Sequence, residues 1–258
     1  MAQLLNIHRG DRFETLVAMD TKPATGPVAV EEYPQDLENL DAPYRNGDHT
    51  TTLIRTVEGK VIEIQHDVMN PQPYNRRYQL TGTKGFANKY PTEGYALSSK
   101  QMKEAGVENI TTDNLSGHEF MPSEQFDALV QQYESPIATK YQKIAREVGG
   151  HGGMDFIMEL RLVYCLQHGL PLDIDVYDVA EWCCLAELGA LSMDHGNAPV
   201  RVPDFTRGHW NEQKGFCYAF ASEEEEATVD SISKQYTQTL KAEGPEAAEA
   251  LLKQLLKE

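Results

Sequence analysis

The spacing of apolar residues predicts a series of helices in the second half of the chain. Residues 123–148 repeat apolar side chains every three or four positions, and Ser135-Pro136 divides them into two helices. A third helix follows Asp155, and a fourth begins after Asp175, an N-cap candidate with Asp178 three positions further on. The predicted buried face of the third helix is Phe156, Leu160, Val163 and Tyr164, and that of the fourth is Val179, Trp182, Cys183, Ala186 and Ala190.

Strand-forming residues concentrate in the first half of the chain. Residues 50–56 and 61–68 are rich in β-branched or alternating apolar side chains, and Glu58-Gly59 between them favours a tight turn. These features predict an antiparallel hairpin. Further strands are predicted at residues 13–19, at residues 74–81 and near Phe86. Residues 22–42 and 94–121 show no such pattern and are predicted to be loops.

Together these elements predict an α+β fold, in which a largely antiparallel open sheet carries a helical layer on one face. Residues 2–8 look like the end of a helix, with Gly10 at its C′ position. No residue upstream could begin that helix, and so short a helix is not stable alone. The sequence is therefore interpreted as beginning inside an element.

The composition changes after about residue 218. An acidic run at residues 223–226 precedes two short amphipathic helices, which Gly244-Pro245 separates. We divide the chain into an α+β domain at residues 1–212, truncated at its N-terminus, and an acidic helical extension at residues 213–258. The leucine-rich face of this extension either packs on the domain or meets another chain.

Charge and composition narrow the function classes. The 258 residues carry a formal net charge of -17, which disfavours binding to nucleic acid and to anionic membranes. No apolar run reaches the roughly 18 residues that span a bilayer, and no signal peptide follows Met1. We therefore expect a soluble protein, cytoplasmic as the sequence stands, while a longer form could be exported. The cysteines lack C-x-x-C spacing, so we expect them to act as small buried hydrophobic side chains and not to form a structural zinc site.

Two segments are candidates for ligand contact. Gly-Gly-His-Gly-Gly at residues 149–153 lets the backbone approach a ligand closely beside His151, but it equally suits a tight turn between helices, with Asp155 capping the next helix. Tyr74, after a proline-braced turn, can offer a sugar both its ring and its hydroxyl, although core packing is the usual role of a lone tyrosine. His8, His49, His66 and His118 show no interpretable spacing, and we expect surface or strand roles for them rather than catalysis. The sequence contains no dinucleotide fingerprint, P-loop, nucleophile elbow or zinc-protease motif.

Six motifs follow one another along the chain: LNIHRGDRF (5–13), PYN (73–75), GTKGF (82–86), GGHGGMDF (149–156), PLDIDVYD (171–178) and VPDFTRGHW (202–210). In this order they resemble the C-terminal portion of family 109 glycoside hydrolases. These enzymes are NAD-dependent α-N-acetylgalactosaminidases of the glucose–fructose oxidoreductase/inositol dehydrogenase (Gfo/Idh/MocA) superfamily. The resemblance covers roughly residues 2–212.

The resemblance implies a substrate-side domain that normally follows a Rossmann domain. NAD would bind that other half and act through redox-assisted elimination and addition at an N-acetylgalactosaminide. The sugar contact of the Pro-Tyr-Asn motif maps onto Tyr74, and His151 is our second substrate-binding candidate. No catalytic, cofactor-binding or metal-binding residue is identifiable in the chain, so we expect it to be inactive alone.

Two other functions stay open. The complete protein could be a sugar oxidoreductase of the same superfamily, because fold does not determine function. The chain could also be a non-catalytic oligomerisation or sugar-binding module. In either case we expect a carbohydrate ligand, together with a homo-oligomer formed through the sheet face or a separate Rossmann-domain chain.

Overall fold

The computed structural model describes residues 1–33, 46–67, 70–108, 110–168, 172–212 and 223–255. The chain divides into two compact units, a first unit of Met1–Pro71 with Lys143–Glu258 and a second unit of Gln72–Gln142. The helices in chain order are α1 (Thr25–Glu32), α2 (Ser99–Glu104), α3 (Ser123–Tyr133), α4 (Pro136–Val148), α5 (Met154–His168), α6 (Val176–Asp194), α7 (Glu223–Glu243) and α8 (Pro245–Leu255). None of the helices within these described ranges is long and apolar enough to span a membrane.

Each unit contains an open antiparallel sheet, which confirms the predicted α+β class. The strands are β1 (Phe13–Asp20), β2 (His49–Thr56), β3 (Val61–Asp67), β4 (Gln79–Thr81), β5 (Phe86–Asn88), β6 (Gly94–Ala96) and β7 (Val200–Arg201). The first unit has the order β3-β2-β1-β7 and the second unit has β4-β5-β6. The strands that the sequence suggested as one sheet therefore form two.

The predicted hairpin of the first unit is confirmed. Strands β2 and β3 pair in antiparallel register, with Thr52 opposite Ile64. Gly59 in the connecting turn has a φ of 82°, a left-handed value that glycine adopts without steric cost. The predicted strand at residues 13–19 is also confirmed, because β1 pairs along its length with β2.

Helix α6 covers one face of this sheet, but through a different face from the one predicted. Val179 is 46% exposed and Trp182 is 37% exposed. The other members of the predicted buried face, Cys183, Ala186 and Ala190, are exposed as well. The buried side of α6 instead carries Asp178, Glu181, Gly189 and Ser192. The apolar pattern misidentified this face because two carboxylates are buried in it.

A hydrophobic core lies between α6 and the sheet. Its buried members are Ile7, Phe13, Leu16, Ile54 and Val202, and α6 adds the partly buried Cys184, Leu185 and Leu188. The Ser192 hydroxyl accepts a hydrogen bond from the Ala18 backbone N–H at 3.0 Å, which fixes the helix against β1. A side chain added at Gly189 would come within 3.6 Å of the Ala18 Cβ, so the two elements lie close together.

Residues 2–8 do not form the helix end that the sequence suggested. Asn6 and His8 have φ values of 61° and 58°, in the left-handed region that ends a right-handed helix. Ile7 between them is fully buried and forms a bridge to Asp11. The turn therefore serves to place Ile7 in the core and to turn the neighbouring polar side chains inward.

Asp11 anchors this turn to the β2–β3 hairpin. Its carboxylate accepts hydrogen bonds from the Glu58 backbone N–H at 3.0 Å and from the Lys60 ammonium at 2.7 Å. Burial of Asp11 opposes ionisation, but these hydrogen bonds outweigh it and hold the pKa of the carboxyl group below its usual value.

Two segments predicted as loops contain regular structure. Helix α1 lies in the predicted loop 22–42, of which residues 34–42 lie outside the described residues. The backbone N–H groups of Ala24 and Thr25 at its start donate to the distant Asp48 carboxylate, so the local sequence contains no N-cap residue that would predict the helix. The predicted loop 94–121 contains β6 and α2. Met102 of α2 is fully buried with Met121 and Leu129, a small core that the sequence pattern did not show.

The acidic extension packs within the first unit as far as it is described. Helices α7 and α8 bury Ile232, Tyr236, Ala248 and Leu252, and Gly244 between them has a φ of 92°. Burial raises the pKa of Tyr236, and the nearby carboxylates of Glu147 and Glu249 raise it further. Glu147 belongs to α4 of the same unit, and whether the leucine-rich face of the extension packs on the domain or meets another chain stays a prediction.

Candidate functional site

Tyr74 lies on an irregular segment, residues 72–78, that precedes β4 in the second unit. The predicted strand at residues 74–81 is confined to Gln79–Thr81. Arg77 interrupts it: its φ is 41°, and its backbone N–H donates to the Asn75 side chain at 2.7 Å. Tyr74 is 72% exposed, so core packing, the alternative role for this tyrosine, is wrong.

Two neighbours hold the exposed Tyr74 ring. Arg76 Nε donates a hydrogen bond to the Tyr74 hydroxyl, and the guanidinium carbon lies 5.6 Å from the ring centroid. The Tyr90 ring approaches edge-on, with 6.1 Å between the two centroids. The pKa of Arg76 is raised, chiefly by its hydrogen bond to Tyr74. We call Tyr74, Arg76 and Tyr90 the tyrosine–arginine cluster.

The cluster is formed by two chain segments that meet at one end of the three-stranded sheet. Residues 72–78 lead into β4, and residues 89–93 connect β5 to β6. The Lys89 backbone N–H donates to the Tyr78 carbonyl at 2.9 Å, and the Asn88 side chain donates to the Thr92 carbonyl. An exposed aromatic face beside a hydrogen-bond donor suits contact with a carbohydrate.

His151 lies in the glycine-rich turn that precedes α5 in the first unit. Its side chain is 77% exposed, and its Nδ1 lies 2.8 Å from an oxygen of Asp155. Asp155 occupies the second position of α5 and pairs with this imidazole, so its predicted role as the helix cap is wrong. The exposed imidazole leaves contact between His151 and a ligand as a prediction.

The glycines around His151 satisfy a packing requirement. Gly153 has a φ of 100°, and a Cβ at this position would lie 2.6 Å from the Ala145 carbonyl carbon of α4. A Cβ at Gly150 would lie 2.8 Å from the Asp155 side chain. The interpretation as a tight interhelical turn is therefore confirmed for these two glycines.

The buried polar groups of the first unit form a network that the sequence did not predict. Arg9 is 3% exposed, and it donates to both carboxylate oxygens of Asp178 at 3.0 and 2.9 Å. Such a bidentate pair is the strongest geometry for a guanidinium and a carboxylate. It connects the N-terminal turn to the start of α6, across most of the sequence.

Glu181 and His8 extend this network. Glu181 accepts a hydrogen bond from the Phe13 backbone N–H at 2.8 Å through one oxygen, and its other oxygen lies 2.6 Å from His8 Nε2. His8 is 6% exposed, and its Nδ1 lies 3.8 Å from Asp178. The expectation of a surface or strand role for His8 is therefore wrong, because the left-handed turn directs it inward.

The predicted N-cap of α6 is confirmed and belongs to the same network. The Asp175 carboxylate accepts from the Asp178 backbone N–H at 2.9 Å, and Asp178 accepts from the Asp175 backbone N–H at 3.1 Å. Arg161 of α5 forms two hydrogen bonds to Asp173, at 2.9 and 2.7 Å, which raise the pKa of the guanidinium group. The two helices and the N-terminal turn are thus linked through charged groups.

We interpret this network as structural. Ligand atoms of His8, Asp175 and Asp178 do lie within 4.8 Å of one another, as in a metal site. However, both oxygens of Asp178 bind the Arg9 guanidinium, and its positive charge opposes a cation at the same place. Breaking a buried ion pair of this kind is strongly destabilising, so the network's clearest role is to hold α6 in place.

The described residues do not fit a bound NAD. Every strand pairing in the two sheets is antiparallel. Dinucleotide-binding folds place the pyrophosphate at a helix that follows the first strand of a parallel βαβ unit, and no such unit occurs within the described ranges. The described fold is thus an α+β domain with two open antiparallel sheets, and Tyr74 is exposed beside one of them.

Comparison with known proteins identifies the family. The family model described as "Glycosyl hydrolase 109, C-terminal domain" matches residues 1–212, and the chain belongs to this family. Glycosyl hydrolase family 109 proteins 4 and 5 of Phocaeicola vulgatus are each 61% identical to the chain, over 245 and 244 residues. A family 109 protein of Porphyromonas gingivalis is 51% identical over 221 residues, or 85% of this chain.

The same comparisons show how much of each relative's length the chain covers. The two Phocaeicola vulgatus proteins match 95% of this chain, but the match is only 46% of their own length. The chain therefore spans about half the length of these relatives. Because their alignments are longer than the 212 residues of the family match, the similarity continues into the acidic extension.

Proposed function

We propose that the chain is the substrate-side domain of an NAD-dependent glycoside hydrolase that acts on terminal α-linked N-acetylgalactosamine. The observation that carries this proposal is the tyrosine–arginine cluster, in which Tyr74 is exposed yet held in place by Arg76. Membership of glycosyl hydrolase family 109 supports the class of reaction. The finer assignment to N-acetylgalactosamine follows from the resemblance of the six motifs to family 109 α-N-acetylgalactosaminidases, in which the Pro-Tyr-Asn tyrosine contacts the sugar.

Tyr74 is assigned the sugar contact. The C–H face of a pyranose ring packs on an aromatic face, and the phenol hydroxyl can donate to or accept from a sugar hydroxyl. The hydrogen bond from Arg76 uses the phenol oxygen as an acceptor, so the phenol proton is available to donate. His151 of the first unit is kept as a separate substrate-binding candidate, because its exposed imidazole is oriented by Asp155.

NAD is proposed to bind outside this chain, in the half of the full-length relatives that the chain does not span. When bound there, NAD would supply the redox chemistry of an elimination and addition mechanism. This chain would position the sugar. It follows that the isolated chain should be inactive, since its described residues do not fit the cofactor.

A chimera tests the proposal that this chain positions the sugar while the other half of the protein binds NAD. The matching C-terminal part of family 109 protein 4 from Phocaeicola vulgatus is replaced by this chain, and release from a chromogenic α-N-acetylgalactosaminide is measured with NAD. We expect turnover by the chimera, a large loss with Tyr74→Ala, and none by the isolated chain. Turnover by the isolated chain, or an unaffected Tyr74→Ala chimera, would contradict the proposal.

Apolar residues on the outer face of the first-unit sheet favour a second candidate, a non-catalytic oligomerisation module. Leu16, Ala18 and Ile54 are buried beneath α6, so alternate residues point away from it. Met19 and Leu53 on that outer face are 59% and 47% exposed. Light scattering distinguishes this candidate: a monomer at micromolar concentration removes it, and a dimer lost in Leu53→Lys supports it.

A further inference from the structure

Residues 72–90 carry a charge opposite to that of the chain as a whole. This segment of the second unit contains two arginines and two lysines but no aspartate or glutamate, whereas the full chain has a net charge of -17. Three tyrosines and a phenylalanine are interleaved with the basic residues. The segment is therefore a basic, aromatic surface on an acidic protein.

The basic side chains of this segment differ in their partners. Lys84, in the turn between β4 and β5, lies 3.7 Å from the Glu104 carboxylate. Arg76 has no carboxylate partner among the described residues, and its contacts are the hydroxyl and the ring of Tyr74. Lys84 is thus paired with an opposite charge, while the charge of Arg76 is left unpaired beside the proposed sugar contact.

A guanidinium has a clear chemical preference. Its planar set of N–H donors matches a carboxylate or a sulfate group, which it binds through parallel hydrogen bonds. Arg76 uses Nε for Tyr74, and the guanidinium keeps two terminal amino groups for other acceptors. A neutral sugar stacked on Tyr74 would gain little from this charge, whereas an anionic substituent on that sugar would gain a charge-assisted hydrogen bond.

We infer that Arg76 selects glycans that carry an anionic substituent, a sulfate ester or a carboxylate, beside the sugar that contacts Tyr74. This inference rests on the proposed function, because it assumes that Tyr74 binds the sugar. It adds a substrate class, an anionic glycan, and assigns a specificity-determining role to Arg76. The interaction is at an exposed site, so it should weaken as salt concentration rises.

Calorimetric titration of the whole chain tests the inference. The probes are methyl N-acetyl-α-galactosaminide, its 6-O-sulfate, and the same glycoside carrying a sialic acid at O6. We expect the sulfated or the sialylated glycoside to bind roughly three- to fivefold more tightly than the neutral one at low salt, the magnitude of one exposed ion pair. A preference for the sulfate alone, or for the sialic acid alone, would identify which anion Arg76 recognises.

Two variants of equal charge change make the test specific. Arg76→Gln should bind all three glycosides equally, while Lys84→Gln, at the other end of strands β4 and β5, should keep the wild-type preference. Equal affinity of the wild-type chain for all three glycosides would overturn the inference and leave the proposed sugar contact intact. Binding of none of them would overturn both. A preference that survives in Arg76→Gln would also overturn the assignment of Arg76.

Discussion

The buried ion pair between Arg9 and Asp178 provides the sharpest stability prediction. Both side chains are almost completely buried, and two hydrogen bonds of 3.0 and 2.9 Å join them. Arg9→Met keeps an unbranched side chain but removes the charge and both donors. The Asp178 carboxylate would then remain in a site that water does not reach.

The expected loss is large because of that remaining carboxylate. Removing one partner of a buried ion pair typically costs about 3–5 kcal/mol, against a total stability of about 5–15 kcal/mol for a folded domain. The double variant Arg9→Met/Asp178→Asn should be more stable than the sum of the two single changes implies, since it leaves no unpaired charge. Lys253→Gln, which breaks an exposed pair with Glu249, is the control and should leave stability unchanged.

Urea unfolding followed by tryptophan fluorescence measures these effects in the first unit alone. The two tryptophans of the chain, Trp182 and Trp210, both belong to that unit. We expect Arg9→Met to lower the midpoint strongly without changing the slope of the free energy of unfolding against urea concentration. A loss below about 1 kcal/mol, typical of exposed pairs, would refute the claim that this ion pair holds α6 to the N-terminal turn.

Three further predictions follow from local geometry. Gly153→Ala should destabilise the chain more than Gly152→Ala in thermal melts, because both have positive φ but only Gly153 lacks space for a Cβ; equal losses would contradict the packing requirement. Cys183 should react with iodoacetamide well before Cys184, whose pKa burial raises to about 11, and faster labelling of Cys184 would contradict this order. Because the folded state lowers the pKa of Asp11, its ionised carboxylate should stabilise the fold above about pH 4, and this stabilisation should be lost as pH falls through the folded-state pKa. In urea titrations Asp11→Asn should therefore reduce the dependence of the free energy of unfolding on pH in the acid range. An unchanged dependence would contradict the prediction.

The parts of the fold that local sequence determines could be predicted. The β2–β3 hairpin, the capped start of α6 and the helix break at Gly244 each depend on neighbouring residues, and all three are confirmed. Helix α1 was missed because its cap is Asp48, more than twenty residues away. Local pattern carries no signal for a cap supplied by a distant residue.

The prediction of which face of α6 is buried was wrong for a different physical reason. Sequence reasoning assigns apolar residues to the interior, but Asp178 and Glu181 are buried because Arg9 and His8 pair with them. The sequence did contain a signal for this network. Asp178 and Glu181 lie three positions apart on one predicted helix, and the adjacent His8 and Arg9 lie near the start of the sequence. Matching these charges would have suggested a buried network, although not which helix face it occupies.

Only part of the candidate site could be predicted from the sequence. Tyr74 was identified from the family motif, but its neighbours Arg76 and Tyr90 were not, and a tyrosine sixteen positions away gives no local signal of contact. For His151, local sequence allowed both a packing turn and a ligand contact. The structure shows the packing role of the glycines and leaves the imidazole exposed.

Saturation-transfer difference NMR with methyl N-acetyl-α-galactosaminide tests the central claim, that Tyr74 faces the sugar. We expect transfer to the sugar ring protons by the wild-type chain and loss of transfer in Tyr74→Ala. Transfer should be retained in Tyr33→Ala, which changes a tyrosine that is 54% exposed elsewhere. Unchanged transfer in Tyr74→Ala, or no transfer to the wild-type chain at millimolar sugar, would contradict it.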